Sequence, residues 1–498
     1  MRESDMKDHD LLEYRRREFT ALVEIERDEQ NKENGGWVTF DCFSRKQPRG
    51  YSPRDTELDL LTLRVSFASV AGLFPSIGES EGRWVKIEVA SQISENTISA
   101  DVVMFGDNAE PVLLHIASVS PIELSNWESA IFMLAGEVRS PASFIAGVLD
   151  VSLRESGTLA IAAYDVGQGN CNAIVDEHEF PRVFFDLGWA PNFHARTRPS
   201  HQPAFFACNH HTAAPVVLSH WDMDHWCYAI ARSKYDPVNL TTKHEWNQEA
   251  LKRFWIARAP EIEQHQIGPL ARSFYDALTR KQLMPGISAM LLWPDNCERI
   301  RFADGWLEAC EPDTRQTRDR NNTGIAMFVR PKGKGPAILM TGDADFPSIP
   351  SLATNHRLKL AGMVAPHHGS TITAAAVPKP MRGSPKKLVL SVGDGNSYGH
   401  PKQDSIDAYE AAGWDWTVTL TKDRQECSRT YPPYPPKHEH NHGNILLKFS
   451  IKAKDPQCLC GCVRAGNLCL IPSAAPTSAA VAGVKKTRRK KAKTATTP

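Results

Sequence analysis

From about Gly157 onward, short apolar runs end again and again in an aspartate or a histidine. Asp186 closes VFFD, His220 closes VVLSH and Asp343 closes AILMTGD. His367 and His368 follow LAGMVAP, and His400 follows LVLSVGDGNSYG. Such runs, bounded by Gly, Pro, Asn and Asp, read as strands. Helical patterns lie between them at His225–Arg232, Gly268–Arg280 and Gln403–Ala412. Strands in a run and then alternating with helices predict sheets covered by helices, an α/β class. Strand ends on one edge of a sheet converge, so loops distant in sequence can build one site there.

The densest of these ends is LSHWDMDHW, residues 218–226, fed by the apolar run Ala214–Leu218. In an extended segment alternate side chains share a side. His220, Asp222 and Asp224 then point one way, and His225 follows as the chain turns. That arrangement suits two adjacent metal ions better than one. With Asp343 and His367 arriving from other strands, the set holds three carboxylates and three imidazoles. Taken singly, TGD is usually a turn, HHG a hydrogen-bonded loop, and HWDMDH a charged helix start, since Asp favours N-caps. Their conjunction in this order, each after a strand, is what points to a metal centre.

The rest of the chain frames that unit. The chain has 498 residues, so two domains plus tails is the natural expectation. Residues 1–30 read as a mixed-charge helix, and 36–120 carry five short β-branched and aromatic runs. Residues 121–155 read as partly helical. A β-rich N-terminal module over 1–155 is expected, with scaffolding, dimerisation or a protein partner as its role. The site-bearing unit spans 156–452. The stretch 453–498 reads as a disordered tail with cysteines at 458, 460 and 462 and a basic cluster at Lys485–Lys493. The cysteine spacing differs from usual zinc modules. Lys+Arg and Asp+Glu are 58 each, so the chain is no polycation obliged to bind nucleic acid. No apolar stretch reaches the ~18–20 residues of a membrane span, and the charged N-terminus has no signal-peptide pattern. The expectation is a cytoplasmic protein away from membranes, with its 11 cysteines reduced.

The order of motifs resembles the metallo-β-lactamase fold over 157–451, and more narrowly the hydrolase domain of ComEC-type DNA-uptake proteins. The residues that carry the resemblance are YDVGQGNCNAIV (164–175), FFDLG (184–188), LSHWDMDH (218–225), NNTGIAMFV (321–329), LMTGDAD (339–345), APHHGS (365–370) and SVGDGNSYGHP (391–401). The resemblance implies an αββα sandwich with metals at one edge. It implies that His220, Asp222, Asp224 and His225 fill the signature motif, that Asp343 bridges both ions, and that His367 is the terminal ligand of the second. It makes Asp186 a structural aspartate behind the site and leaves His368 on the substrate side. Asp222 stands where most relatives have histidine, as often in the ComEC-like branch. A histidine that the general fold places between the first motif and the bridging aspartate is missing. RNNTG occupies that place, where Asn321 or Asn322 could shape the site. His244 and His265 lie nearby without a ligand context. Asn170 replaces an acid common in the ComEC-like group, and the membrane channel of those proteins is absent.

The chemistry expected is hydrolysis by two divalent ions, Mn²⁺ or Zn²⁺ with Mg²⁺ as a further option, which generate hydroxide near neutral pH. Oxygen-rich ligands favour the harder ions. Asp224 or Asp343 would orient the nucleophile. His400 would contact the substrate or protonate the leaving group, or make only a structural hydrogen bond, with Asn396 and Tyr398 beside it. A phosphodiesterase, above all a nuclease, is the first expectation. The alternative is a hydrolase of a small ester, lactone or cyclic nucleotide. A binding protein with a vestigial metal site is the third.

Overall fold

The computed structural model describes residues 16–27, 35–45, 58–454, 456, 464–465 and 468–469. Within 58–454 it leaves out 107–109, 135–136, 155, 200–204, 207–212, 260–266, 313–319, 355–357, 394–395, 397 and 420–442. His265, the three tail cysteines and the basic cluster lie outside the described residues.

The N-terminal region folds as β1 (Arg16–Arg27), β2 (Gly36–Arg45), β3 (Leu58–Ser66), β4 (Trp84–Ala90), β5 (Ile98–Val102) and β6 (Leu113–Pro121). A short helix, α1 (Phe67–Leu73), follows β3 and interrupts the β-rich run of residues 36–120. The Ser66 hydroxyl caps its first turn, accepting from the Ser69 amide. The strand order β3-β2-β1-β4-β6-β5, with β5 pairing back onto β3, closes a barrel. Closure removes the free edges of a sheet. Phe19, Val23, Val38, Phe40, Leu63 and Ile87 fill its interior.

The expectation of a helix over residues 1–30 fails across 16–27, which form β1. Glu and Arg favour helix, but Phe19, Ala21, Val23 and Ile25 alternate with period two and enter the barrel core. Burial of that face outweighs intrinsic propensity. Leu22, Glu24 and Glu26 consequently point to the other face, which lines a cavity described below.

After α2 (Asn126–Phe132) and α3 (Ala142–Leu153), the chain makes β7 (Ala160–Ala163), β8 (Cys171–Val175), β9 (Pro181–Leu187) and β10 (Val216–Val217). Next come the hairpin β11 (Ile230–Asp236) and β12 (Thr241–Trp246), then β13 (Trp255–Ala257), α4 (Pro269–Arg280), the small hairpin β14 (Gln282–Met284) and β15 (Ile287–Ser288), and β16 (Met290–Leu292). The helix expected over 225–232 is absent. Two 3-10 turns lead directly into β11, because Trp226, Cys227, Tyr228 and Ala229 are all buried and leave no polar face for a surface helix. The β11–β12 hairpin joins the barrel sheet through Thr242 opposite Leu60.

The last part holds β17 (Arg299–Phe302), β18 (Gly305–Ala309), β19 (Ile325–Val329), β20 (Ala337–Met340), β21 (Leu360–Val364), β22 (Lys387–Leu390), α5 (Gln403–Ala412), β23 (Asp415–Val418) and β24 (Ile445–Leu447). One seven-stranded sheet has the order β16-β13-β10-β9-β8-β7-β24, and another runs β17 to β23 in sequence. They share one core in which Ile161, Phe185 and Val217 meet Met327, Met340 and Val364. α4 packs on the far face of the first sheet and α5 on the far face of the second. The structure is thus a mixed α/β fold with a β-barrel at its N-terminus. β9, β10, β13 and β16 run parallel, as do β20 to β23. Ligand sites in such sheets gather outside the carboxyl ends of the parallel strands.

Candidate metal centre

The loops that leave β9, β10, β20, β21 and β22 meet at one rim. Asp186 ends β9 in a left-handed conformation, φ 61°, and is fully buried. Its carboxylate accepts from the Ser219 amide at 2.7 Å and from the Ser219 hydroxyl at 2.8 Å. It also lies 2.9 Å from His225 Nδ1 and accepts from Asn170 Nδ2 at 3.3 Å. A carboxylate on Nδ1 fixes a proton there and turns Nε2 towards the site as the nitrogen available to a cation. Gly188 follows because a Cβ there would collide with the carbonyl oxygen of Asp224. Gly342, at φ 57°, likewise lets the chain pass over Ser219 on its way to Asp343. These two glycines let the two sheets bring their loops together.

Asp343 sits at the centre. Its Oδ1 is 3.2 Å from His225 Nε2, and its Oδ2 is 3.8 Å from His220 Nε2 and 3.6 Å from His367 Nε2. Asp224 reaches His368 Nε2 at 3.0 Å and His225 Nε2 at 3.7 Å. Asp222 reaches His220 Nε2 at 3.3 Å. His220, His225 and Asp343 bring ligand atoms within 4.8 Å of one another, and so do Asp224, His225 and His368. Either group could hold a metal ion. His220 Nε2, His225 Nε2 and Asp343 Oδ1 are buried without a hydrogen-bond partner. Buried polar atoms are rarely left so. Three orphaned ligand atoms converging on one point fit a divalent cation.

The electrostatics fit as well. Burial alone would push the carboxyl of Asp343 up, but His225, His367 and His368 outweigh it and hold it well below the usual range. Burial opposes a charge on His225, yet Asp343, Asp224 and Asp186 raise its pKa well above the ordinary histidine value, so that a divalent ion would bind there by displacing a proton from Nε2. Burial also opposes ionisation of Asp222, and Arg320 with His220 overcomes it.

His400 lies beside these groups, its ring 5.6 Å from that of His367 and 6.5 Å from that of His368. Burial, with His367, His368 and Lys402 close by, drives its pKa well below the ordinary value, which favours the neutral imidazole. The Tyr398 hydroxyl is 3.2 Å from His194 Nε2, and burial with the nearby Glu26 carboxylate pushes its pKa well up. Asn396 is a staple of its own loop. Its amide donates to the carbonyls of Gly393 and His400 and accepts from the Tyr398 and His400 amides. His244 is remote from the cluster, on β12, with Nδ1 2.9 Å from Ser233 Oγ. Burial lowers its pKa to about 4.

A cavity of about 1290 Å³ opens onto Asp222, Asp224, Asp343, His367, His368 and His400. Its opposite wall comes from the N-terminal barrel. Glu24 and Glu26 of β1 and Glu79, Glu81 and Trp84 line it. Arg320 bridges the two walls, with Nη1 2.9 Å from Glu24 and Nε 3.2 Å from Asp222. Sequence reasoning missed Arg320, although it stands at the head of the RNNTG stretch. It missed Glu24 and Glu26, whose signal was their alternation with the apolar residues of β1. It also missed Ser219, which touches Asp186, His220 and His225. The cysteines Cys42, Cys171, Cys227, Cys297 and Cys310 are free thiols. Among the described residues no helix is long and apolar enough to cross a membrane.

No protein family and no curated protein matches the chain. Among solved structures, the chain is similar to a mutant of CmlA beta-hydroxylase, at 10% identity and a TM-score of 0.31. The match covers 80% of this chain and 74% of the other. A likeness so slight leaves the functional reading to the residues themselves.

Proposed function

We propose that the chain is a metal-dependent hydrolase with a two-ion centre, built on the αββα sandwich of the metallo-β-lactamase fold. The observation that carries this reading is the convergence of buried, unpartnered ligand atoms of His220, His225 and Asp343 beside Asp222, Asp224 and the 367–368 histidine pair. The motif order, close to that of ComEC-like hydrolase domains, supports the fold. When bound, two divalent ions lower the pKa of water towards ~7 and stabilise charge that develops on a substrate oxygen. The chain's own residues do the rest. Asp343 bridges the two halves of the ligand set. Asp186 and Ser219 hold His225 in register. Asp224, partly exposed to the cavity, is placed to accept a proton from the attacking water. His400, kept neutral by its surroundings, suits a hydrogen bond to substrate better than a role as acid. Asn396 acts through the loop that carries His400, and Tyr398 closes the cavity against Glu26.

A phosphodiester is the substrate that three carboxylates and hard cations suit best. A specific observation favours a small one over a polymer. The wall opposite the ligands carries Glu79 and Glu81, the latter with its pKa raised to about 7 by burial, beside the ion-paired Glu24 and Glu26. This partly neutralised acidic face suits one phosphodiester better than the many phosphates of a nucleic acid backbone. The test offers bis-p-nitrophenyl phosphate, cyclic nucleotides, a lactone, RNA, and single- and double-stranded DNA to the protein with Mn²⁺ or Zn²⁺. The reading predicts cleavage of small diesters that disappears in Asp224→Ala. Preferred cleavage of polymers would restore the nuclease reading. Absence of both bound metal and turnover would leave only the binding-protein reading.

A further inference from the structure

His367 and His368 are adjacent, yet both face the ligand set. Their backbones explain how. His367 lies at φ 47°, ψ 48° and His368 at φ 53°, ψ 21°, and Gly369 follows at φ 80°. Left-handed conformations are costly for residues with a Cβ, about 1–2 kcal/mol each, and they cluster where function demands them. In a strand, neighbouring side chains would point to opposite faces and only one could reach the site. Here the twist sends one imidazole to each side of Asp343. His367 Nε2 is 3.6 Å from Oδ2 and His368 Nε2 is 4.0 Å from Oδ1.

The other ligands divide in the same way. On the Oδ2 side, His220 Nε2 lies 3.8 Å from Asp343 and 3.3 Å from Asp222. On the Oδ1 side, His225 Nε2 lies 3.2 Å from Asp343 and 3.7 Å from Asp224, with His368 Nε2 3.0 Å from Asp224. Ligands at ~2.0–2.2 Å around one tetrahedral ion stand roughly 3.4 Å apart, and these contact pairs scatter around that value. Asp224, His225 and His368 already bring ligand atoms within 4.8 Å of one another, whereas His220 does so with His225 and Asp343, so that His367 and Asp222 must be drawn in by the ion. Arg320 rather than a further imidazole stands against Asp222 on the Oδ2 side.

We infer that the His367–His368 pair is split between the two ions. His367 completes a first site with His220, Asp222 and Asp343. His368 completes a second with Asp224, His225 and Asp343. Each site then has two imidazoles and two carboxylates. This rests on the two-ion reading above, and its test separates the two.

The full chain, stripped with chelator and reloaded with Mn²⁺, is examined for bound ions per chain by mass spectrometry. Electron paramagnetic resonance distinguishes a coupled pair from an isolated ion. The wild type is expected to hold two ions with a coupled spectrum. His367→Ala and His368→Ala are each expected to hold one ion and give an uncoupled spectrum, with the double variant losing both. Near-ultraviolet circular dichroism verifies that each variant is folded, and His367→Asn substitutes if the alanine variant is not. Retention of two coupled ions in folded His367→Ala, or loss of both there, overturns the split. A wild type holding one ion or none contradicts the two-ion reading itself.

Discussion

Replacing Asp186 by Asn tests how the buried frame controls the ligands. The carboxylate takes four donors: Ser219 N, Ser219 Oγ, His225 Nδ1 and Asn170 Nδ2. Asn offers one oxygen and one NH₂ group. If its oxygen stays on the Ser219 amide, its NH₂ faces His225 Nδ1. The imidazole must then move its proton to Nε2, the atom aimed at Asp343. If the amide flips, the buried Ser219 N–H loses its acceptor, at a cost of about 1–3 kcal/mol. Either outcome weakens the centre without removing a ligand. Loss of a carboxylate behind a ligating histidine typically costs 10–100-fold in metal affinity, or about 1.4–2.7 kcal/mol. The assay is competition for Zn²⁺ or Mn²⁺ against a chromophoric chelator, with thermal unfolding recorded in parallel. A folded Asp186→Asn protein should bind metal 10–100-fold more weakly and melt lower when metal-free. Affinity within twofold of wild type, at unchanged stability, would refute the reasoning.

Other outcomes follow from the same geometry. Divalent metal at about 100 times its Kd should stabilise the fold by about 2.7 kcal/mol, seen as a rise in Tm that chelator reverses. Arg320→Ala leaves Glu24 and Asp222 facing each other without their cation and should cost a few kcal/mol in urea unfolding, about the 3–5 kcal/mol of a broken buried pair at most. Arg320→Lys, which cannot span both carboxylates, should recover only part of it. Asp41 on β2 accepts from the Leu270 amide in the first turn of α4, and burial raises its pKa to about 7. A carboxyl whose folded pKa is raised binds its proton more tightly in the native state, so its contribution is full below pH ~4 and falls as pH rises through about 7. Asp41→Asn should therefore flatten the stability profile between about pH 4 and 7, and an unchanged profile would reject this account. Gly188→Ala must push apart the Asp224 carbonyl and should lower both stability and metal affinity, measured by the same titration.

Much of the candidate site was readable because its residues sit where strands end. VVLSH, AILMTGD and LAGMVAP each mark a parallel strand by its apolar run, and the residue after the run is placed by the sheet. The helices at 269–280 and 403–412 were readable from their apolar spacing. Three things were not. β1 carries helix-favouring Glu and Arg, and only its partners in the barrel make its alternation decisive. Residues 226–229 continue a polar motif, but their complete burial depends on the barrel hairpin and α4 closing over them. The pair at 367–368 depends on two left-handed backbones, which no side-chain pattern announces. The acidic cavity wall and Arg320 were hidden for a related reason: they belong to a contact between distant segments, and each looks like an ordinary surface charge in isolation.

The most direct test of the central claim is the number of divalent ions bound per chain, by mass spectrometry after loading and dialysis, in wild type and in Asp343→Ala. Asp343 is the carboxylate that touches both halves of the ligand set. The account predicts two ions in the wild type and loss of both, or retention of one at much reduced affinity, in the variant. A wild type that binds none, or a variant that binds two as tightly, would contradict it.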